Sequence, residues 1–263
     1  MTPEEMVSRL LYRDGLMLVI DKPAGMAVHK GSPNGKDRNR ESLEDHFDTL
    51  RFGLPRPPAL AHRLDRDTSG CLVLGRHRKA LAALGKLFRN GAVGKTYWAV
   101  VEATPDAESG RIDLPLGRLD DKIGWWMKHD PNGQPAVTEW KVMGRAPSGG
   151  LTWLELDLLT GRTHQIRVHC AEMGWPVFGD GIYGKAPRTG GPPQHLHART
   201  ISVPLYKNRD PIKVTASVPE HMRARFMECG WSGEESVTPA EQNHPASSHE
   251  DAVSIAADAS LDN

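Results

Sequence analysis

The sequence contains little that would indicate a disulfide-bonded, zinc-binding or membrane protein. Its three cysteines, Cys71, Cys170 and Cys229, lie far apart and form no CxxC pair, so neither a disulfide framework nor a zinc ribbon is predicted. No apolar run approaches the ~20 residues that a membrane span requires. Residues 1–15 have no unbroken apolar segment typical of a signal peptide. These absences predict a soluble, cytoplasmic protein with reduced, buried thiols and no membrane contact.

Net charge is also lacking, but only as an average over the chain. The chain has 33 Lys and Arg and 33 Asp and Glu residues. Residues 230–263 hold seven of the acids and no Lys or Arg, which leaves a balance of +7 in residues 1–229. Because the tail has few large apolar residues, it cannot bury enough surface to fold. We therefore predict a basic folded domain over 1–229 and an acidic, disordered tail over 230–263, a division that hints at contact with nucleic acid.

The coarse pattern of apolar residues predicts more strands than helices. Apolar or alternating runs predict strands at 16–21, 70–74, 96–101, 136–143, 151–159, 196–205 and 212–218. Helical spacing predicts helices at 42–50, 81–88 and 164–173, and residues 118–135 are predicted to form a long loop. Strands and helices do not alternate strictly, which favours an α+β fold with a mixed, mostly antiparallel sheet and flanking helices over a doubly wound fold.

Two segments combine ionisable residues with turn-forming ones between apolar runs. Residues 62–70 read HRLDRDTSG, and residues 160–169 read TGRTHQIRVH. The first places Asp65 between two arginines, and the second offers Arg162, His164 and Arg167. A carboxylate with several cations near it is either a structural ion pair or a poised catalytic group.

The spacing of Asp65 and Asp67 allows a comparison with the DxDx[TV] start of haloacid-dehalogenase phosphatases. That motif needs an apolar strand leading into its first aspartate, whereas Ala61-His62-Arg63-Leu64 precede Asp65 here. The fourth position after Asp65 is Ser69 rather than Thr or Val. The phosphatase interpretation is therefore weak.

Histidine pairs raise the alternative of a metal site. His164 and His169 lie about 140° apart around a helix and do not share a face. His195 and His197 would share a strand face, but they lack an identifiable third ligand. Buried or solvated histidines explain both pairs better, and no metal is predicted.

The bases at the start of the predicted helix 164–173 are unusual, because the helix dipole disfavours cations there by a few tenths to ~1 kcal/mol each. An anionic partner would explain Arg162, His164 and Arg167. The partner could be a phosphate or a protein carboxylate such as Asp65, whose ionised form a nearby arginine would favour.

With these motifs in view, the chain resembles the RluA family of RNA pseudouridine synthases. HRLDRDTSG is similar to the central motif of that family, and DGLMLVIDKPAGMAVH (14–29) is similar to its first motif. TGRTHQIRVH with GWPVFGDGIYG (174–184) resembles the third, and LHARTISV (196–203) the last core strand. The resemblance covers roughly residues 14–220 and implies the pseudouridine synthase fold with a central catalytic cleft.

The resemblance also implies roles for individual residues. Asp65 matches the catalytic aspartate, which acts as a nucleophile at the sugar or base or stabilises charge at C1′. Tyr97 matches the tyrosine that packs on the target base and is a candidate proton acceptor. Arg167 matches the arginine that pairs with the aspartate. Arg63 matches the residue that fills the emptied RNA stack. The further expected substrate-binding residues are His62, Leu64, Arg162, His164 and Ile166, with Val168 as another wall of the pocket.

The implied activity converts uridine in RNA to pseudouridine without cofactor or metal. The target must be flipped out of its stack or presented in a loop. Bases in 30–58 and 118–135 are expected to contact phosphates, and Trp125 and Trp126 either stack on bases or anchor their loop. Because the first motif begins near residue 14, we expect no N-terminal RNA-binding module and therefore a compact tRNA or rRNA target. We also expect a monomer, since a basic RNA-facing surface needs no second subunit. The alternative is an RNA-binding or ribosome-assembly protein without catalysis.

Overall fold

The computed structural model describes residues 1–30, 41–120 and 126–234. In chain order the strands in these ranges are β1 (Leu10–Arg13), β2 (Met17–Lys22), β3 (Ala59–Leu60), β4 (Ser69–Gly75), β5 (Gly94–Glu102), β6 (Ser109–Asp113), β7 (Leu116–Arg118), β8 (Met127–His129), β9 (Val137–Arg145), β10 (Leu151–Leu158), β11 (Leu196–Val203) and β12 (Ile212–Thr215). The helices are α1 (Pro3–Ser8), a 3₁₀ helix (Leu43–Leu50), α2 (Arg78–Arg89), α3 (Gln165–Glu172) and α4 (Glu220–Glu228).

Ten of the described strands form one sheet in the order β1-β2-β4-β11-β5-β10-β9-β6, with β3 paired to β4 and β12 paired to β11. The pairings between these strands are antiparallel except that β4 and β11 run parallel. Strands β7 and β8 form a separate hairpin. The predicted mixed, mostly antiparallel sheet with helices around it is therefore confirmed.

The sheet is buried on both faces around β2 and β4, which explains their unbroken apolar sequences. Every residue of β4 is buried. Alternate residues enter two hydrophobic clusters, with Leu18, Ile20, Leu72 and Leu74 in one and Met17, Val19, Cys71 and Val73 in the other. Helix α2 covers the second face through Ala80 and Leu84. This alternation follows from the two-residue period of a strand.

Gly70, the last residue of the HRLDRDTSG segment, lies where β4 approaches β11. Its φ is +105°, and a Cβ at this position would lie 2.3 Å from the carbonyl oxygen of Ala198. Only glycine fits such a backbone conformation at such a short separation. The glycine thereby lets the loop that carries Asp65 lead directly into the parallel pair.

The seven predicted strands and three predicted helices are all present within a few residues of their expected ends. The prediction of an unbroken loop over 118–135 is wrong, because β8 lies within it and pairs with β7. Three-residue strands are too short to produce a readable period. Strands β1, β3 and β6 and helices α1 and α4 were also not predicted, although Thr2 and Glu5 form a capping box in front of α1.

The packed part of the chain extends slightly past the predicted boundary at residue 229. Trp231 is buried, and its ring contacts Phe226 of α4 and Trp98 of β5 edge-on. Most of the predicted disordered tail lies outside the described residues, so that prediction stays untested. Among the described helices, none combines the length and the apolar character that crossing a membrane would require.

Candidate active site

One cavity of about 570 Å³ is lined by nine of the ten residues that the sequence analysis assigned to the catalytic pocket. The lining comes from the loop before β4, from β5, from the loop after β10 and from the first turn of α3. The nine residues are His62, Arg63, Leu64, Asp65, Tyr97, Arg162, His164, Ile166 and Arg167. The two motifs, about a hundred residues apart in sequence, therefore form opposite parts of one cleft.

Asp65 lies in a tight turn just before β4. The backbone N–H of Thr68 donates to the Asp65 carbonyl at 3.2 Å. Lys22, at the end of β2, holds the same turn in place. Its Nζ donates to the carbonyl oxygens of Pro23 and Arg66 at 2.7 and 2.8 Å. Burial lowers the pKa of Lys22 to about 7, although the charges of Asp67 and Asp65 oppose this. Lys22 thus ties the loop that carries the carboxylate to the sheet.

Arg167 contacts Asp65, as predicted, but its principal partner is Asp180. The guanidinium donates to Asp180 through Nε at 2.7 Å and Nη2 at 2.9 Å, and Nη1 lies 3.3 Å from Asp65 Oδ2. Burial alone would raise the pKa of Asp180, but Arg167 and the backbone N–H groups of Ile182 and Tyr183 lower it below its usual value. The two-point geometry orients the guanidinium. Asp180 therefore positions Arg167, which in turn meets Asp65.

His164 precedes α3 in a left-handed backbone conformation with φ +54°. Its Nδ1 lies 2.8 Å from the hydroxyl of Tyr183, and its Nε2 lies 3.7 Å from Asp65 Oδ2. The Tyr183 hydroxyl also accepts from the Met127 N–H at 2.8 Å, which holds the phenol beside the imidazole. Burial lowers the pKa of His164, and Asp65 offsets this in part. The imidazole is thus held with Nε2 facing the Asp65 carboxylate.

The left-handed backbone of His164 is strained, and a strained residue among ionisable ones is typical of functional sites. The predicted anionic partner of the bases near α3 is also found, since Arg167 pairs with both Asp180 and Asp65. The helix itself begins at Gln165. Arg162 therefore lies before the helix, and its Nε donates to the carbonyl of Pro135 at 3.0 Å.

Tyr97 lies on β5 with its ring buried in the wall of the cleft. Burial raises the pKa of Tyr97, and the charge of Asp65 raises it further. The phenol is therefore neutral near pH 7. This state suits a packing surface better than a proton acceptor.

His62 is used mainly within the protein. Its Nε2 accepts from the backbone N–H of Val73 at 3.0 Å, and its ring stacks on Phe88 with centroids 4.5 Å apart. Burial lowers the pKa of His62 to about 3, so the ring is neutral. His62 shapes the cavity rather than adding charge to it.

Leu64 and Ile166 form apolar walls of the cavity, together with Leu158 and Leu196. The prediction of Val168 as a further wall is wrong. Val168 lies two residues after Ile166 on α3, so its side chain points about 200° away from that of Ile166 around the helix. Val168 packs instead with Leu116 and Ala136.

The structure describes only part of the two basic loops, 30–58 and 118–135, whose bases were expected to contact phosphates. Lys30 pairs with Asp45 at 2.7 Å and Arg51 with Asp48, whereas Lys36, Arg38, Arg40, Lys122 and Trp125 lie outside the described residues. The guanidinium of Arg188 lies over the ring of Trp126 at 4.5 Å. This contact favours an anchoring role for Trp126.

Outside the cleft, His169, His195 and His197 are buried, and each makes at least one hydrogen bond. His197 lies 2.9 Å from the hydroxyl of Ser69 and 3.2 Å from the carbonyl of Ala216, and His169 lies 2.9 Å from the hydroxyl of Thr138. Across residues 1–30, 41–120 and 126–234, no three His, Cys, Asp or Glu residues are grouped as metal ligands would be.

Lys22, Asp180 and Tyr183 were not selected from the sequence. Asp180 and Tyr183 lie in the segment GWPVFGDGIYG, which carries one acid that could have been matched to the bases near α3. Lys22 is the last residue of β2 and follows the apolar run and Asp21, and a lysine inside a buried strand is itself unusual.

Residues 16–172 match the model of the RNA pseudouridylate synthase family. An uncharacterised RNA pseudouridine synthase of Zymomonas mobilis is 38% identical over 82% of this chain and 95% of its own length. Ribosomal large subunit pseudouridine synthase D of Xanthomonas campestris is 35% identical over 84% of this chain and 69% of its own. The solved structure of human RNA pseudouridylate synthase domain containing 4 has a TM-score of 0.70 and 25% identity, covering 86% of this chain and 95% of that one.

Proposed function

Because this chain belongs to the RluA family of RNA pseudouridine synthases and is therefore an isomerase, we propose that it converts specific uridines of a structured tRNA or rRNA to pseudouridine. The basic balance of residues 1–229 supports a structured RNA as the partner. The three described cysteines are unpaired and buried, which is typical of a reducing compartment. We place the reaction in the cytoplasm and expect a monomer.

The observation that carries this proposal is the position of Asp65. Its carboxylate lies in the cleft, 3.3 Å from Arg167 Nη1 and 3.7 Å from His164 Nε2. The reaction breaks the N1–C1′ bond and forms a C5–C1′ bond, while one proton leaves C5 and one is gained at N1. A carboxylate can attack the nucleotide or stabilise positive charge at C1′ during this change. Asp65 is the group that we assign to this chemistry.

The other cleft residues would hold the nucleotide. A uridine within a paired stack must be flipped out at a cost of a few kcal/mol, and Arg63, exposed beside Asp65, would fill the emptied stack. The neutral ring of Tyr97 would pack on the uracil, and Leu64 and Ile166 would enclose it. These contacts restrain the detached base while it turns.

The test is to replace Asp65 by alanine and to map pseudouridine across cellular RNA in a strain that lacks the gene. The strain would be complemented with the wild-type chain, Asp65→Ala or Asp67→Ala. We expect the wild-type chain and Asp67→Ala to restore the modification, and Asp65→Ala to abolish it while RNA affinity stays within several-fold.

The alternative is an RNA-binding or ribosome-assembly protein without catalysis. In that case no uridine would depend on the gene, although the purified chain would still bind RNA. Modification that persists with Asp65→Ala would disprove the assigned role of Asp65.

A further inference from the structure

Two cations lie side by side on the wall of the cleft, near the loop after β10. Lys95 is two residues before Tyr97 on β5, so both side chains face the same side of the strand. Both Lys95 and Arg162 line the cavity that contains Asp65. Lys95 had no role in the sequence-based prediction.

The loop that carries Arg162 is fixed by a buried glutamine. Gln165 Oε1 accepts from the Thr160 hydroxyl at 2.7 Å and from the Arg162 N–H at 3.0 Å. Its Nε2 donates to the Val137 carbonyl at 2.9 Å and lies 3.0 Å from the Thr138 hydroxyl. Every polar atom of this amide is therefore engaged, and the backbone at residues 160–162 is held in place.

This loop and its neighbour position the two cations. Lys95 Nζ donates to the Thr160 carbonyl at 3.2 Å, and Arg162 Nε donates to the Pro135 carbonyl at 3.0 Å. An ammonium has three donors and a guanidinium five. Donors on both side chains therefore remain for a ligand in the cleft.

The pair carries positive charge that the protein does not neutralise locally. Throughout the described part of the chain, neither Lys95 nor Arg162 takes part in an ion pair with a carboxylate. Burial lowers the pKa of Lys95, and the charge of Arg162 lowers it further. A half-buried Lys95 beside the exposed, like-charged Arg162 is unfavourable, and an anion between the two side chains would relieve the cost.

Gly161 leaves the approach to Lys95 open. A Cβ at residue 161 would meet Lys95 Nζ at 3.6 Å and no other group within 4 Å, and the backbone φ there lies outside the left-handed region. The fold would therefore accept alanine at this position. The absence of a side chain at residue 161 therefore keeps the Lys95 ammonium accessible, whereas the backbone conformation there does not require glycine.

We propose that Lys95 and Arg162, with the open backbone at Gly161, form a subsite for one RNA backbone phosphate beside the flipped uridine. The inference rests on the proposed function, since it concerns the same substrate in the same cleft. Once the N1–C1′ bond is broken, the base is no longer attached to the ribose. A phosphate bound by Lys95 and Arg162 keeps the ribose in place, so that C1′ remains within reach of C5.

The first experiment measures binding of a fluorescently labelled RNA hairpin with uridines in its loop, over a series of salt concentrations. Loss of one phosphate contact in single-stranded RNA lowers the slope of log K against log salt by about 0.7. We expect this decrease for Lys95→Gln and for Arg162→Gln. If both residues share one phosphate, the double variant decreases the slope no further than either single variant.

Matched variants separate charge from structure. Lys95→Arg should retain the wild-type slope, and Lys79→Gln, which removes an exposed lysine of α2, should also leave it unchanged. Gly161→Ala should weaken binding by several-fold without a change in the unfolding midpoint. The folding of each variant is checked by thermal unfolding.

The second experiment measures kinetics on an RNA that the wild-type chain modifies. For Lys95→Gln we expect KM to rise about tenfold, the loss expected for one hydrogen bond to a charged group. A slope and KM equal to those of Lys79→Gln would overturn the subsite. A reduced slope in a protein that modifies no RNA would instead support the subsite as an RNA contact and refute the proposed function.

Discussion

At the residue scale, the arrangement of charge around Arg167 decides how the cleft is organised. Its side chain is almost fully buried and faces two carboxylates, Asp180 and Asp65. The shorter, two-point contact is with Asp180, whose side chain is also buried. The orientation of Arg167 beside Asp65 therefore depends on a residue that lies behind it.

Replacing Asp180 by asparagine should leave a buried guanidinium with one charged partner. Breaking a buried ion pair costs about 3–5 kcal/mol, and we expect a loss of that order in the free energy of unfolding. We also expect kcat to fall more than KM changes, because Arg167 loses its orientation. Urea unfolding and steady-state kinetics measure the two effects, with Glu172→Gln, an exposed acid of α3, as the control.

The same variant should change the response to acid. The folded-state pKa of Asp180 is below the usual aspartate value of 3.8. Its contribution to stability is therefore complete above that value and is lost as the pH falls through the folded pKa. The difference in stability between wild type and Asp180→Asn should therefore shrink from pH 6 to pH 3. A difference that stays constant over this range would contradict the role given to the ionised carboxylate.

At the element scale, the parallel contact between β4 and β11 determines where the Asp65 loop lies. Residues 69 and 70 of β4 pair with 197 and 198 of β11, and the Ser69 hydroxyl lies 2.9 Å from His197 Nδ1. The loop that contains Asp65 ends at this junction. A change in the separation of the two strands would therefore move the Asp65 carboxylate.

Gly70→Ala should separate these strands. The added methyl group would meet the Ala198 carbonyl oxygen at 2.3 Å, at a residue with φ +105°. Strain and overpacking together should cost about 3 kcal/mol or more, and activity should fall with stability. Gly15→Ala is the matched control, because no atom lies within 4 Å of its Cβ position. Equal unfolding midpoints for the two variants would refute the close approach.

At the scale of the whole molecule, the acidic end of the sequence opposes the basic body. Residues 235–263 contain six acids and no Lys or Arg, so a chain that ends at Glu234 changes from a formal net charge of 0 to +6. Such a chain keeps Trp231, which is buried in the cluster with α4. The truncation therefore tests charge while it preserves the described packing.

We expect the free energy of unfolding of this truncated chain to lie within about 0.5 kcal/mol of that of the full chain, because changes away from packed groups usually have small effects. It should bind RNA several-fold more tightly at low salt, and the gain should vanish at high salt, because screening removes long-range repulsion between the tail and phosphates. Unfolding and RNA-binding measurements at two salt concentrations check both statements. A gain that persists at high salt would contradict an electrostatic origin.

The sequence by itself determined the elements that have a clear local period and the two segments that line the cleft. The apolar runs of β2 and β4 and the helical spacing of α2 follow from residues that are near neighbours in the chain. Asp65 and Arg167 were selected from segments whose residue types are unusual for a solvated loop or a helix start, whereas Tyr97 was selected from the family resemblance alone. All three line one cleft.

Only the tertiary structure decided which groups meet across long separations. Asp180 reaches Arg167 through the fold of the loop after α3, and Lys22 reaches the carbonyl of Arg66 from a strand 44 residues away. Lys95 and Arg162 become one charged pair because β5 begins beside the loop after β10. Local periodicity carries no information on such pairings, since the distance between two side chains depends on the packing of the elements that hold them.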